Sequence, residues 1–135
     1  MIHTDIDIKD ELWEWVSASD LASAISGKVY KDQRPINSDK EDIIVAVIAR
    51  TAGAQRQDAT ANVNIYVPDL RRGQEAIEDT TRLRTLCTTA ASAFEYRTTG
   101  DAIYELDSQE VMKANGADWH IINNRIRIRY NNETA

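Results

Sequence analysis

The 135-residue chain predicts an α+β fold, a mainly antiparallel β-sheet with two principal helices packed on one face. Three observations predict it. Apolar residues recur at helical spacing in an N-terminal and a central segment, whereas the other ordered stretches are short and β-branched or alternate in polarity. The resulting order is ααββαβββ, with neighbouring strand segments forming hairpin-like pairs, which favours antiparallel pairing over alternating βαβ units. Hydrophobic residues make up 42% and charged residues 28%, an ordinary globular balance that supports a single domain over 1–135.

The segment "TDIDIKDELWEWVSASD" places Ile8, Leu12, Trp15 and Val16 on one helical stripe, with Thr4 or Asp5 as its cap. Asp7, Asp10 and Glu11 suit the positive end of its dipole. A second short helix opens at Ser19 or Asp20, carries Leu21 and Ile25, and closes on Gly27. "KVY" starts an extended stretch that Pro35 and the polar "NSDKED" interrupt. "IIVAVIAR" (43–50) is almost continuously apolar and reads as a strand covered on both faces.

"NVNIYV" (62–67) alternates Val63, Ile65 and Val67 with polar or aromatic residues, as a half-buried strand does. Between these strands "TAGAQRQDATA" (51–61) reads as a projecting loop, rich in small polar residues. "PDLRRG" is expected as a turn, followed by the longest helix over 74–95. Its buried stripe is Leu83, Leu86, Cys87, Ala90 and Phe94, and Glu75, Glu78 and Asp79 would occupy its first turns. Strands over 102–106 and 110–114, a turn at "NGAD" and a long strand from Trp119 to Tyr130 end the chain.

The formal net charge of -6 and pI near 4.9 argue against nucleic-acid binding driven by bulk charge. No apolar run approaches the roughly 20 residues that span a bilayer, and the acidic start "MIHTDIDIKDE" is unlike a signal or transit peptide. The single Cys87 cannot form an internal disulfide and suits a reducing compartment. Gly-rich phosphate loops, paired-histidine metal motifs and CxxC are absent. His120 shares a strand face with Ile122, Ile126 and Ile128, so it reads as a packed or edge histidine. Cys87 lies within a helix stripe as a small hydrophobe. "DIDIKDE" lacks the glycine and terminal glutamate of a calcium loop, and "NET" (132–134) matches a glycosylation acceptor without a secretion signal. These readings point away from an enzyme, and no cofactor or metal is expected.

The run "LWEWVSASDLASAISGKVYKD" resembles the opening of the phage tail terminator (tail completion) family. There a helix is followed by a turn of the type A-D-x-x-L-x-x-x-x-G, then a V/I-Y pair and a strand. The matching positions are Ser19-Asp20-Leu21, Ile25, Gly27 and Val29-Tyr30. The later order of elements is similar over nearly the whole chain. One departure is Glu41-Asp42-Ile43, where the family often has a Pro-aromatic pair. The resemblance implies a non-enzymatic virion protein of the tail, assembled in the host bacterial cytoplasm. It would form a homo-oligomeric ring, commonly a hexamer, that caps the tail tube protein and offers a surface to the head-tail connector or neck protein. Neither membrane nor specific nucleic acid would be a partner, since an acidic subunit repels DNA from a pore wall. Another connector, head-closure or tail tube component is the alternative within this class.

"RIRIRY" (125–130) raises a separate possibility. Arg125, Arg127 and Arg129 share one strand face, with Ile126, Ile128 and Tyr130 on the other. A nucleic-acid-binding module could use that face, yet base-stacking readers interleave aromatic with basic residues, and Tyr130 points the other way. A solvated face is the plain reading. The sharper one is a subunit interface in which these arginines meet Asp39, Glu41 or Asp42 of a neighbour. Gln55, Arg56, Gln57 and Asp58 of the expected loop complete the candidate contact residues.

Overall fold

The structure, a computed structural model, describes residues 3–51, 56–114 and 116–131. Helix α1 (Asp5–Ser17) starts at a capping box: the Thr4 side chain accepts from the Asp7 N–H, and Asp7 accepts from the Thr4 N–H. Those hydrogen bonds hold the Asp7 carboxyl below its ordinary range. Ile8, Leu12 and Val16 are buried at four-residue spacing. Trp15 is half-buried on the flank and meets Phe94 and Tyr104 edge-on, with ring centroids 5.3 and 5.2 Å away. Helix α2 (Asp20–Ala24) follows Ser19 and buries Leu21.

Strands β1 (Val29–Lys31), β2 (Ile43–Arg50), β3 (Arg56–Pro68), β6 (Tyr96–Thr98), β7 (Ala102–Lys113) and β8 (Trp119–Asn131) form one sheet. Its order is β1-β2-β3-β8-β7-β6. Among the described residues only β1 and β2 pair in parallel, and the other pairings are antiparallel. Between β3 and β6 lie a separate two-stranded hairpin, β4 (Leu70–Arg72) and β5 (Glu75–Ile77), and helix α3 (Thr80–Phe94). The fold is α+β with a mostly antiparallel sheet and two main helices.

Alternation decides which sheet face the helices cover. Ala59, Ala61, Val63, Ile65 and Val67 of β3 and Ile122, Ile126, Ile128 and Tyr130 of β8 are buried with α1 and α3 residues in one core. The register sets Ala61 opposite Ile126 and Ala59 opposite Ile128. Each small residue thus makes room beside a large one, and a fully buried Leu or Ile contributes about 1.5–3 kcal/mol. The buried polar Asn124 is satisfied: it donates to the Val63 carbonyl at 3.1 Å and accepts from Gln109 at 2.8 Å.

Several expected boundaries are corrected. Of the loop expected over 51–61, residues 52–55 lie outside the described residues, and 56–61 belong to β3, pairing with β8 throughout and with β2 over 59–61. Alternating Gln57, Ala59 and Ala61 are buried there, and a polar residue followed by two small ones hides the pattern in the sequence. The helix expected over 74–95 begins at Thr80, with Asp79 as its cap accepting from the Arg82 N–H. Positions three and four before Leu83 are Thr80 and Asp79, so the apolar stripe stops there. Glu75 lies in β5, and Glu78 and Asp79 precede the helix. The "PDLRRG" turn is instead the first arm of the β4–β5 hairpin, reversed at Gly73 in the left-handed region (φ 64°). The strands expected over 102–106 and 110–114 are one strand, β7, with a register shift between Leu106 and Ser108. Strand β2 is buried on both faces only over Ile43–Val45, and it becomes exposed from Ile48.

Candidate interaction surface

The outer face of the sheet, away from the helices, carries the odd-numbered residues of β8. From one end to the other these are Trp119, Ile121, Asn123, Arg125, Arg127 and Arg129. The three arginines do share one face, and Ile126, Ile128 and Tyr130 are buried against the helices. Their surroundings differ. Arg127 pairs with Glu105 of β7 at 3.1 Å. Arg129 is half-buried, stands opposite Asp58 in the register, and has a buried Nε that no hydrogen bond satisfies. Arg125 is exposed between Asn62 and Ser108, and its side chain has no polar partner among the described residues.

Next to the arginines is an amide cluster that the sequence reading missed. The Asn123 side chain donates to Asn62 at 2.9 Å and to Asn64 at 2.7 Å. The signal was present, since "NVN" and "NN" place asparagines at outward positions of two strands. Only the register of β3 on β8 brings them together.

Beyond the amides, residues 32–42 fold over the far end of this face. Arg34 lies over the rings of Tyr66 and Trp119, at 4.6 and 4.2 Å from their centroids. It donates to the Ser38 carbonyl at 2.7 Å and pairs with Asp42 at 3.4 Å.

The acidic candidates divide accordingly. Asp39 is exposed. Asp42 is buried, accepting from the Ser38 hydroxyl and from the Lys28 N–H. Glu41 is buried too and takes a two-pronged hydrogen bond from Arg82 at 2.6 and 2.7 Å. That bond raises the Arg82 guanidinium further above its ordinary value. Both carboxylates are spent inside the chain, where they tie residues 24–28 and α3 to the start of β2. The reading of 38–42 as a solvated acidic turn therefore fits Asp39, and not Glu41 or Asp42. These acids lie near Ile43 and Tyr66, at the other end of the sheet from the arginines.

Of the expected loop residues, Gln55 lies outside the described residues. Arg56 opens β3 opposite Asn131. Gln57 is fully buried and clamps His3, accepting from its N–H at 2.9 Å and donating to its carbonyl at 2.8 Å. The Asp58 carbonyl accepts from the Thr51 N–H at 2.8 Å, and the Asp58 N–H donates to the Thr51 hydroxyl at 3.1 Å. His3 stacks on Tyr130 with centroids 3.9 Å apart, and the Tyr130 and Tyr104 hydroxyls both donate to Glu11 at 2.7 Å. This latch joins the chain's start, α1 and the sheet.

His120 is packed, as its strand face suggested, with Nδ1 2.6 Å from Asp69 and Nε2 3.6 Å from Glu78. Burial pushes the Cys87 thiol up, which disfavours a thiolate nucleophile. Among the described residues, no helix is long and apolar enough to cross a membrane. No protein-family model matches the chain, and no curated protein matches it.

Proposed function

We propose that this chain is a phage or prophage virion structural protein of the tail terminator type. A ring of identical subunits, a hexamer by resemblance, caps the completed tail tube, stops further polymerisation and presents its free face to the head-tail connector. The order of elements carries the reading: a capped helix, a short helical turn before Gly27, the Val29-Tyr30 strand, two long strands, a small hairpin, a long helix and closing strands. The two faces of the sheet support it. One is sealed by helices, whereas the other exposes Arg125 and Arg127 at fixed register beside a partly buried asparagine cluster, a surface suited to protein contacts.

The role is geometric, so nothing in it depends on a reacting group. Heterologous contacts close a ring, and ring diameter then matches tube diameter. The test combines sedimentation of the purified protein with electron microscopy of tail tubes mixed with it. A ring-sized species bound at tube ends is expected. A strict monomer that ignores tube ends would overturn the proposal, and binding along the tube wall would make the protein a tube component instead.

A further inference from the structure

Two features of the chain are left without a partner, and each supplies what the other lacks. The first is the β4–β5 hairpin. Its strands pair with each other and with no strand of the main sheet, and an isolated two-stranded ribbon is marginal in water. It is tethered at its base, where Arg71 pairs with Asp118 at 2.6 Å and the His120–Asp69–Glu78 contacts hold the flanking chain. All of β4 is exposed. Leu70 is 49% exposed, and the Arg72 side chain has no polar partner among the described residues.

The second feature is the open edge of β7. Strand β6 pairs only with Ile103, Tyr104 and Glu105. From Asp107 to Lys113, β7 has β8 on one side and no described strand on the other. Such an edge is a template for another chain. It carries Asp107 and Glu110, whose side chains have no polar partner among the described residues, and Met112, 39% exposed. Glu110 and Met112 are two residues apart and share the outer face with Asn123 and Ile121.

We propose that β4 of one copy adds to the open edge of β7 in the next copy, antiparallel, with Leu70 opposite Met112 and Arg72 opposite Glu110. Leu70 and Arg72 are also two residues apart on one face. The antiparallel register sets apolar against apolar and cation against carboxylate, whereas the parallel one sets Leu70 against Glu110. The contact joins two different surfaces, and is therefore head-to-tail, the kind from which rings are built. It rests on the ring-forming part of the proposed function and names the elements that meet.

Cross-linking tests it. Leu70→Cys and Met112→Cys are introduced together with Cys87→Ser, and the protein is oxidised mildly at a concentration where it assembles. Directly opposed residues in an antiparallel pair lie about 4.5–5.5 Å apart between Cα atoms, within disulfide reach. A ladder of covalent multimers ending at the ring number is expected, and oxidised protein that stays single-chain overturns the contact. Separately, Arg72→Glu is expected to weaken association about tenfold and Arg72→Glu with Glu110→Arg to restore it. An unchanged association for Arg72→Glu, or a double variant no better than the single one, also overturns it. Rings that cap tubes without the 70–112 cross-link sink this contact alone, and cross-linked rings that ignore tube ends sink the tail reading alone.

Discussion

At Gly27 an added Cβ would lie 2.0 Å from Asp42 Oδ1 and 2.5 Å from the Glu41 carbonyl oxygen. The Gly27 N–H donates to that carbonyl at 2.8 Å, and the neighbouring Lys28 N–H donates to Asp42. Glycine is needed here because two backbones touch, whereas its place after a helix suggested only helix closure. Ile25, in extended conformation, is the residue that ends α2. Gly27→Ala is expected to cost about 1–3 kcal/mol through overpacking against backbone. It would be read as a lower urea midpoint with an unchanged slope, and an unshifted midpoint would refute the close-approach account. The same pair of backbones explains why an acidic run before a strand was misleading. Composition shows Glu41 and Asp42 as charges, but not that Arg82, 41 positions later, will reach one of them.

At the level of elements, α1 is the best example of local information sufficing. Its cap, its stripe and its end all follow from side chains within a few residues of one another. Its attachment to the sheet does not, since Glu11 receives the hydroxyls of Tyr104 and Tyr130, which are 93 and 119 positions away. Burial, more than the hydrogen bonds, pushes both phenols well above the ordinary tyrosine value. Because the folded-state values are raised, the folded protein holds these protons more tightly than the unfolded chain. The stabilisation is fully present below about pH 10, the unfolded tyrosine value, and is lost as pH rises beyond it. Denaturation midpoints are expected to fall above about pH 10, and the Tyr104→Phe, Tyr130→Phe double variant to fall less steeply. Equal slopes for the two proteins would show that the latch does not titrate as argued.

For the whole molecule, the outer face of the sheet decides what the arginines mean. Arg127 has an exposed ion pair with Glu105, a type of contact worth about 0–1 kcal/mol. Arg127→Glu should therefore leave thermal unfolding nearly unchanged. If the face meets a neighbouring subunit, the same variant should lose the assembled species in sedimentation. An unchanged assembled mass with unchanged stability would return Arg127 to a solvated face. On β7 Arg129 stands opposite Ile103, and the register shift after Leu106 sets Ser108 rather than Asp107 opposite Arg125, so only Arg127 has an acidic neighbour there.

The sequence by itself determined the α+β class, the two principal helices, the inward face of β8 and the sharing of one face by Arg125, Arg127 and Arg129. Each depends on periodicities of 3.6 or 2 that a local window contains. Tertiary structure alone decided that 56–61 extends a strand, that 70–77 forms a separate hairpin, that Glu41 and Asp42 are internal, and that Asn62, Asn64 and Asn123 meet. These depend on which distant strand supplies hydrogen bonds and which distant side chain supplies the opposite charge. Neither quantity is written in the residues next door.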